Sequence, residues 1–355
     1  MVPTIPLKVI QINSMKNWAG GEAHVFLLCR EFMSLGVSVV LVCRPGSVID
    51  QKSREANIPV LNLPLKGALD LKSAWILANY CRENSVDIVH AHLGRDYWTA
   101  NLAKFFHPKL KVVMTRHIRA PLKNSVLHRW LYRKADKVIA VSQTVKKAIA
   151  VFPPEKITVI HNGIDIDKFS AAKPGILHAE LGIGAETKIV GMVGRVNPSK
   201  GHETFLRSIP EIQAQCSNTV FVVVGGGAYI AELKSLNADV RFLGPRGNIP
   251  AIMKDLDVFV LASLNEPFGL VTVEAMAAGT PVVATNTGGT AEIITDGETG
   301  LLIPPQDPAR LAQAVIRVLT DDKLAGKLKE GAFRRAQIFN IRDMAINTLH
   351  VYSRA

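Results

Sequence analysis

Two carboxylates in the second half of the chain have a spacing that suits a hydroxyl-bearing ligand. Glu266 follows a predicted strand over residues 258–263, and Glu274 lies eight positions further on, about one turn into the next predicted helix. A helix needs only one acidic residue near its start as a cap, and Glu274 lies too far inside to serve. The N–H groups at a helix start lack partners within the helix and attract anions. Those groups belong here to Phe268, Gly269 and Leu270. The segment therefore predicts a site for a ligand with hydroxyls and phosphate, such as a nucleotide sugar.

Two basic residues follow another predicted strand of the same half. Arg195 comes directly after Gly194 at the end of the strand over residues 188–194, and Lys200 lies five positions later. A guanidinium fork and an ammonium point charge together neutralise a diphosphate well. The alternative is a pair of solvated loop cations, but their position after a buried strand favours the diphosphate.

Glycine turns follow two further strands. Gly20 and Gly21 precede a helix expected from Glu22, where backbone N–H groups can approach an anion, although such turns are often only structural. Gly225 opens a turn that resembles G-x-G-x-x-G, but Ile230 stands where the third glycine belongs and no suitably placed acid follows. A nicotinamide dinucleotide site is therefore disfavoured.

Four histidines lie at or near strand ends of the first half: His90, His92, His117 and His161. Histidines are common metal ligands, but nothing in the sequence shows that these four converge. One hydrogen-bonding histidine at a ligand site is the favoured interpretation, and we expect no metal.

Two D-x-D pairs are further candidates for metal binding, because such pairs can hold a divalent ion on a diphosphate. The second pair, Asp255 and Asp257, precedes the strand over residues 258–263 and lies at its amino end. Asp165 and Asp167 stand near the junction of the two halves. We interpret the second pair as helix-end and strand-start residues.

Short apolar runs alternate with amphipathic stretches along nearly the whole chain, which is typical of parallel strands covered by helices on both faces. The runs in the first half are residues 7–13, 37–43, 59–63, 87–92, 111–117, 137–142 and 157–163. Those in the second are residues 188–194, 219–225, 240–244, 258–263, 281–285 and 300–304. The pattern predicts two doubly wound α/β domains. Ligands bind such sheets at the carboxyl ends of the strands, so a cleft between the domains is the expected site.

The domain boundary is expected where the periodicity breaks, between Ile166 and Glu186. We assign residues 1–167 and a C-terminal helix over 340–355 to an acceptor-side domain, and residues 168–339 to a nucleotide-sugar-binding domain.

The excess positive charge lies entirely in the first half. Residues 1–165 contain 23 Lys+Arg and 11 Asp+Glu, whereas residues 166–355 contain 19 of each. Twelve of the basic residues lie between Lys104 and Lys147, a stretch with a single acid, Asp136. Such asymmetry predicts a polyanion or an anionic membrane surface as a partner.

A predicted helix over residues 122–137 lies within this basic stretch. Leu127, Trp130, Leu131 and Ala135 recur at helical spacing among basic residues. The pattern fits an ordinary surface helix with a buried stripe, or a helix that lies on a membrane surface and brings the protein to a lipid-linked acceptor.

Composition places the chain among globular proteins. Of 355 residues, 48% are hydrophobic and 20% are charged, which excludes disordered and fibrous classes. No stretch approaches the roughly 18 consecutive apolar residues of a membrane span, and the first residues lack a signal-peptide pattern. We expect a cytoplasmic protein, peripheral at most on the inner face of the plasma membrane.

The four cysteines are widely scattered along the chain, which predicts buried thiols: Cys29, Cys43, Cys81 and Cys216.

Taken in order, these segments resemble the retaining glycosyltransferases of family 4, which have the GT-B fold. The resemblance covers nearly the whole chain. It includes the segments already described and, in addition, Asn162 to Asp165, Glu274 to Ala284, Gly288, Gly289, Glu292 and Gly297.

The resemblance implies two facing Rossmann-like domains, with the donor bound mainly by the second and the acceptor mainly by the first. It implies that Arg195 and Lys200 hold the donor diphosphate, and that the turn of Gly20 and Gly21 closes on it. The glycine turn at Gly225 would belong to the same donor site.

The same resemblance assigns the remaining residues. Glu274 would hold the ribose hydroxyls and Glu266 the sugar hydroxyls, while the amides of residues 268–270 bind phosphate and sugar. His117 would lie near the anomeric centre. No metal or other cofactor is implied.

The predicted function is metal-independent retaining transfer from a nucleotide-diphosphate sugar, with UDP favoured, to an anionic or lipid-linked glycan acceptor in bacterial envelope synthesis such as that of lipopolysaccharide. A soluble small-molecule acceptor is an alternative, and inverting or phosphorylase GT-B enzymes share the fold. A nucleotide-sensing, polyanion-binding protein is a further alternative. It is disfavoured because the basic stretch has few aromatic residues for base stacking, and we expect no nucleic-acid partner.

Overall fold

The structure is a computed structural model that describes residues 7–120, 125–149, 151–236 and 239–355. The chain divides into two compact units. The first comprises residues up to Gly163 together with Ile341–Ala355, and the second comprises Ile164–Asn340. The first boundary lies four residues before the predicted one, because Ile164 already pairs with Asn340 of the second unit.

The first unit contains a parallel sheet of seven strands in the order β3-β2-β1-β4-β5-β6-β7. The strands are β1 Lys8–Asn13, β2 Ser38–Cys43, β3 Val60–Asn62, β4 Ile88–Ala91, β5 Lys111–Arg116, β6 Lys137–Ala140 and β7 Ile157–Val159. Successive residues of β1, such as Val9 and Ile10, are both fully buried, so both faces of the sheet are covered. All seven predicted strands are confirmed, with their ends trimmed by a few residues.

Helices of the first unit follow the strands. They are α1 Gly20–Ser34, α2 Val48–Glu55, α3 Leu71–Glu83, α4 Gly94–Phe106, α5 Val126–Lys134 and α6 Gln143–Ala148, with a 3-10 turn over Pro154–Lys156. Serine caps begin three of them, because the side chains of Ser47, Ser125 and Ser142 accept hydrogen bonds from first-turn N–H groups.

The second unit contains a parallel sheet of six strands in the order β10-β9-β8-β11-β12-β13. These strands are β8 Lys188–Val193, β9 Thr219–Val224, β10 Val240–Gly244, β11 Val258–Leu261, β12 Val282–Thr285 and β13 Leu301–Ile303. They match the six predicted runs. The order repeats that of the first six strands of the first unit, and it is the order of a Rossmann-like, doubly wound sheet.

Helices again connect these strands. They are α7 Ile166–Ser170, α8 Ile176–Leu181, α9 His202–Gln215, α10 Ile230–Lys234, α11 Ile249–Asp255, α12 Leu270–Ala278, α13 Thr290–Ile293, α14 Pro308–Thr320 and α15 Asp322–Ala336. Short 3-10 turns cover Pro198–Lys200 and Gln337–Phe339. The core of the unit packs Phe205 of α9 against Phe221 of β9, both fully buried.

The last helix, α16 Ile341–Tyr352, belongs to the first unit although it follows the second in the chain. Its apolar face, which includes Met344 and Leu349, is buried in the core of the first unit. Its Tyr352 ring packs against Phe32 of α1. The predicted C-terminal helix of the first domain is therefore observed.

No helix among the described residues is both long enough and apolar enough to cross a membrane. Three of the cysteines are buried, as predicted, and Cys216 is partly exposed.

Candidate active site

The carboxylate and the lysine that the sequence singled out form an ion pair in the second unit. Lys200 Nζ lies 2.7 Å from Glu266 Oε2, with the Glu266 side chain 7% exposed. The Ser263 hydroxyl donates a second hydrogen bond to the same oxygen, at 2.9 Å. A buried carboxylate is thus held by a cation and a hydroxyl, at the end of strand β11.

The sheet order explains this pairing. Strand β8 lies next to β11, so the loops that follow these two strands are neighbours although Lys200 and Glu266 are far apart in sequence. Gly201 permits the approach, because it has a φ of +71° and an added Cβ would lie 1.9 Å from the Ala262 carbonyl oxygen. The Leu264 N–H also donates to the Ser199 carbonyl, at 2.9 Å.

Helix α12 begins beside this pair. Gly269, with a φ of +105°, is its N-cap, and Leu270 is its first residue. The buried Phe268 precedes them, and the Glu266 carbonyl accepts a hydrogen bond from Gly289 N at 2.8 Å. An added Cβ at Gly269 would lie 3.4 Å from Glu266 Cγ, so the start of α12 lies beside the carboxylate that binds Lys200. A helix N-terminus and a cation on one carboxylate can together bind an anion.

Glu274 is the fifth residue of α12. Burial raises the pKa of this carboxyl to about 7, and the positive charge of Lys168 opposes the rise. Glu274 forms no ion pair within 4.0 Å with any described residue, so the half-buried carboxyl is costly to keep ionised. Hydroxyl donors from a ligand would lower that cost.

Arg195 and Gly225 differ from these residues. Arg195 is exposed and forms no ion pair with any described residue, so the structure does not join it to Lys200 and Glu266. Gly225, with a φ of +142°, has a packing role, since an added Cβ would lie 1.8 Å from the Gly194 carbonyl oxygen. The two glycine-bearing loops thus support each other, and the participation of Arg195 and Gly225 in ligand binding stays a prediction.

In the first unit, helix α1 begins at Gly20 and not at Glu22 as the sequence predicted. The extended Ala19 forms the N-cap and provides no side-chain cap, so the helix starts on the two glycines themselves. An added Cβ at Gly21 would meet open space. Glu22 is buried and accepts a hydrogen bond from Asn13 Nδ2 at 3.2 Å.

Two of the four predicted histidines converge at the carboxyl ends of strands β4 and β5. His92 Nδ1 lies 3.2 Å from His117 Nε2. The third member of the cluster is His24 of α1, whose ring centroid lies 4.7 Å from that of His117 and 5.5 Å from that of His92. Burial lowers the pKa of all three imidazoles, to about 4 for His24 and well below the usual range for the others.

The other two predicted histidines do not join this cluster. His90 is buried within β4, where its Nδ1 lies 2.6 Å from the Tyr352 hydroxyl and its Nε2 lies 2.6 Å from Thr115 Oγ1. Both ring nitrogens are occupied, so His90 is structural. His161 lies outside the group of ring nitrogens that converge.

Sequence reasoning missed two residues here. His24 lies about one turn into α1, the helix that follows β1. Only the sheet order, which places β1 beside β4, shows that His24 meets His92. Asp96, in the first turn of α4, is buried and accepts a hydrogen bond from Ser14 N at 3.1 Å. Burial raises the pKa of Asp96 to about 7.

The D-x-D pair at the amino end of β11 is structural, as predicted. Asp255 accepts hydrogen bonds from the backbone N–H groups of Gly175 and Leu177. Asp257 accepts one from Ile189 N at 2.8 Å.

The basic helix of the first unit exposes apolar as well as charged residues. Residues 122–124 of the predicted helix lie outside the described ranges, and α5 covers Val126–Lys134 of the rest. Leu131 is buried in α5, as is Ala135 just after it, but Leu127 and Trp130 are 53% and 42% exposed. The predicted stripe is therefore only half buried, and Val126, at 75% exposure, extends the exposed apolar surface.

Two family models match the chain, one in each half. "Glycosyltransferase Family 4" matches residues 18–168, and "Glycosyl transferases group 1" matches residues 176–335. A relative named D-inositol 3-phosphate glycosyltransferase from Corynebacterium jeikeium is 31% identical, covering 74% of this chain and 71% of the relative. One of the same name from a Nocardioides species is 29% identical, covering 95% and 86%.

Solved structures are similar over almost the whole chain. A glycosyltransferase from Rickettsia africae has a TM-score of 0.87 and 21% identity, covering 98% of both chains. The HepE protein of Anabaena, crystallised with UDP-glucose, has a TM-score of 0.82 and 25% identity, covering 97% of this chain and 99% of that one. The paired Rossmann-like units, the matched family models and these relatives together show that the chain is a glycosyltransferase of family 4 with the GT-B fold.

Proposed function

We propose that this glycosyltransferase transfers a sugar from a UDP-sugar to an anionic acceptor, with retention of the anomeric configuration and without a metal at the diphosphate. The observation that carries the proposal is the pair of Lys200 and Glu266, joined at 2.7 Å beside the start of α12. A cation, a carboxylate and the N–H groups of a helix start suit a ligand with both phosphate and sugar hydroxyls.

Donor binding is assigned to residues of the second unit. Lys200 and Arg195 neutralise the diphosphate, and the amides of residues 268–270 bind phosphate and sugar. Glu266 accepts hydrogen bonds from sugar hydroxyls and Glu274 from the ribose. The similarity to HepE, which was crystallised with UDP-glucose, supports uracil as the base.

The reaction breaks the bond between the anomeric carbon and the diphosphate oxygen and forms a bond from that carbon to an acceptor oxygen. Negative charge grows on the leaving diphosphate, so a fixed ammonium and fixed helix amides stabilise the transition state more than the ground state. In the same-face route that we propose, a leaving phosphate oxygen takes the acceptor's proton. His117, at the end of β5, is assigned to the neighbourhood of the anomeric carbon.

The acceptor that we propose carries a phosphate. Relatives named D-inositol 3-phosphate glycosyltransferases cover most of the chain, and their name describes a small phosphorylated acceptor. The first unit contains 25 Lys+Arg against 11 Asp+Glu, which would attract such an acceptor. This favours a soluble phosphorylated acceptor over the lipopolysaccharide that the sequence led us to expect.

A second candidate acceptor is a lipid-linked glycan of the bacterial envelope, reached by peripheral binding to an anionic membrane. It is supported by α5, where the exposed Val126 and Trp130 lie among the exposed Arg129, Arg133 and Lys134. Apolar side chains flanked by cations are typical of helices that lie in a membrane interface.

A donor screen tests the proposal. Thermal stabilisation by UDP, GDP and ADP is measured first, and transfer from the matching nucleotide sugars to inositol phosphates is then followed by NMR of the anomeric proton. We expect stabilisation by UDP and a product with the donor's anomeric configuration. An inverted product, or transfer that proceeds only from ADP- or GDP-sugars, would contradict it.

A further inference from the structure

The cluster of His24, His92 and His117 in the first unit has a geometry that the transfer reaction does not require. One ring nitrogen from each residue lies within 4.8 Å of the other two. We propose that these three imidazoles bind a divalent transition-metal ion of the zinc class. The proposal rests on the first unit alone and does not depend on the proposed donor or acceptor.

Hydrogen bonds around His92 determine which of its nitrogens presents a lone pair. His92 Nε2 lies 2.7 Å from Gln11 Oε1, which can only accept. The amide of Gln11 is oriented by its Nε2, which donates to the Tyr352 hydroxyl at 2.9 Å. His92 Nε2 therefore carries the proton, and its Nδ1 directs a lone pair towards His117. A second-sphere acceptor that fixes the tautomer is the usual arrangement around a metal-bound histidine.

His24 supplies an independent observation. His24 is 5% exposed, and neither ring nitrogen makes a hydrogen bond of ordinary length and angle to a described residue. The Asn162 Oδ1 atom is also buried without such a bond, although the Asn162 side chain is close enough to interact with His24 and to oppose the fall in its pKa. A metal on one nitrogen of His24, with the other nitrogen donating to Asn162, would satisfy both groups.

The distances suit a tetrahedral ion. Zinc–nitrogen bonds of 2.0–2.1 Å at tetrahedral angles place two ligand nitrogens about 3.3 Å apart. The His92 Nδ1 to His117 Nε2 separation is 3.2 Å. The His24 nitrogen lies within 4.8 Å of the other two, so tetrahedral binding requires the His24 ring to move closer to them. With three histidine ligands, the fourth position is left to water or another small ligand.

The ligand set also selects the class of ion. Imidazole nitrogens suit zinc and its neighbours, whereas magnesium, calcium and manganese prefer oxygen. The site is therefore distinct from a manganese site on a donor diphosphate. A metal on His117 Nε2 would leave the Nδ1 proton available for a hydrogen bond.

Metal titration of the full-length, tag-free protein tests the inference. The protein is treated with EDTA, exchanged into chelator-free buffer and titrated with Co²⁺ and with Zn²⁺ in competition with a chromophoric chelator. We expect one equivalent to bind below micromolar concentration, and a visible Co²⁺ spectrum of tetrahedral type without a thiolate band. The missing thiolate band excludes binding at the cysteines.

Matched variants decide whether the histidines are the ligands. His24→Phe keeps the volume of a buried ring but removes its nitrogens. We expect the metal affinity to fall by about 100-fold or more, at least as much as on loss of a second-sphere partner. His350→Ala, on the exposed face of α16, should bind as the wild type does. Melting temperatures of both variants confirm that they fold. Absence of stoichiometric binding, or unchanged affinity in His24→Phe, would overturn the proposal, leaving a direct His117-to-His92 hydrogen bond.

Discussion

The two units share a sheet order but carry different chemistry at the same topological position. In each, the first and fourth strands of the unit are neighbours, and the loops that follow them meet at the carboxyl edge of the sheet. In the first unit this position holds neutral, buried imidazoles, whereas in the second it holds the ion pair of Lys200 and Glu266. The fold thus provides the location, and the loop residues determine what binds there.

Net charge separates the units as well. The first has 25 Lys+Arg against 11 Asp+Glu, and the second has 17 against 19. A net charge acts over several ångströms on any anion in solution, whereas a buried pair acts only on a ligand that enters the site. This difference supports the proposal that the first unit attracts an anionic acceptor and that the second binds the donor.

The largest expected effect is that of Lys200→Ala. Removing the ammonium takes a fixed charge from the leaving diphosphate, so we expect kcat/KM to fall by about 10³-fold. The matched control is Lys323→Ala, an exposed lysine of α15, which should keep wild-type activity. Circular dichroism of both variants checks the fold. If Lys200→Ala keeps the wild-type kcat/KM, the donor diphosphate does not bind at Lys200 of the second unit.

Glu274→Ala should have a similar but somewhat smaller effect. The variant loses the carboxylate that is proposed to accept hydrogen bonds from the ribose hydroxyls. We expect kcat/KM to fall by at least about 10²-fold, in line with the loss of a hydrogen bond to a charged group in a desolvated site. Steady-state kinetics with varied donor measure it. If transfer by the folded variant equals that of the wild type, Glu274 has no part in donor binding.

Glu274→Gln tests the burial of the same carboxyl by its effect on the free energy of unfolding. Because the folded pKa is raised to about 7, ionisation costs the wild type stability as pH rises from about 4.5 to about 7. We expect the glutamine variant to be more stable at pH 8 by about 1–3 kcal/mol, and the gain to vanish at pH 4. Thermal melts across this range check the prediction, which fails if the difference does not change with pH.

Charge reversal on α5 should moderately weaken acceptor binding, which we assign to the first unit, without changing donor binding. We expect Arg129→Glu with Arg133→Glu to weaken binding of a phosphorylated acceptor by about 10-fold at low salt, while UDP binding is unchanged. Lys72→Glu, an exposed lysine of α3, is the control. Flotation with anionic vesicles separates the two candidate acceptors, since a wild type that stays unbound at low salt excludes the membrane-bound one.

The smallest expected effect is that of divalent ions on transfer. Helix amides and fixed cations bind the diphosphate in the proposed site, so adding Mn²⁺ or Mg²⁺ to EDTA-treated enzyme should change the rate by less than about twofold. Initial rates with and without each ion are compared. Activity that returns only when Mn²⁺ is added would show that the diphosphate requires a metal.

Much of the fold could be predicted, because continuous apolar runs mark strands that are buried on both faces. All thirteen predicted strands are present in the described chain. The start of α1 was placed two residues late, since a helix that begins on two glycines lacks the usual cap signal. For α5 the sequence left open an ordinary surface helix with a buried stripe or a membrane-surface helix, because burial depends on which neighbours pack against the helix. Leu131 is buried, whereas Trp130 is 42% exposed.

The candidate site was predictable to the level of residues but not of contacts. Glu266 and Lys200 were identified by type and by position after strands, yet their pairing requires that β8 and β11 be neighbours. His24 was missed for the same reason, since its role arises only from the adjacency of β1 and β4. Gly225 was assigned to ligand binding, whereas the structure also gives it a packing role against Gly194.

The most direct test of the division between the units is calorimetric titration of UDP into the wild type and two variants. We predict that Lys200→Ala weakens UDP binding by about 10-fold or more. His117→Ala should bind UDP as the wild type does, because UDP lacks the transferred sugar whose anomeric carbon His117 is proposed to approach, while losing transfer activity. UDP affinity that is unchanged in Lys200→Ala but lost in His117→Ala would contradict the account.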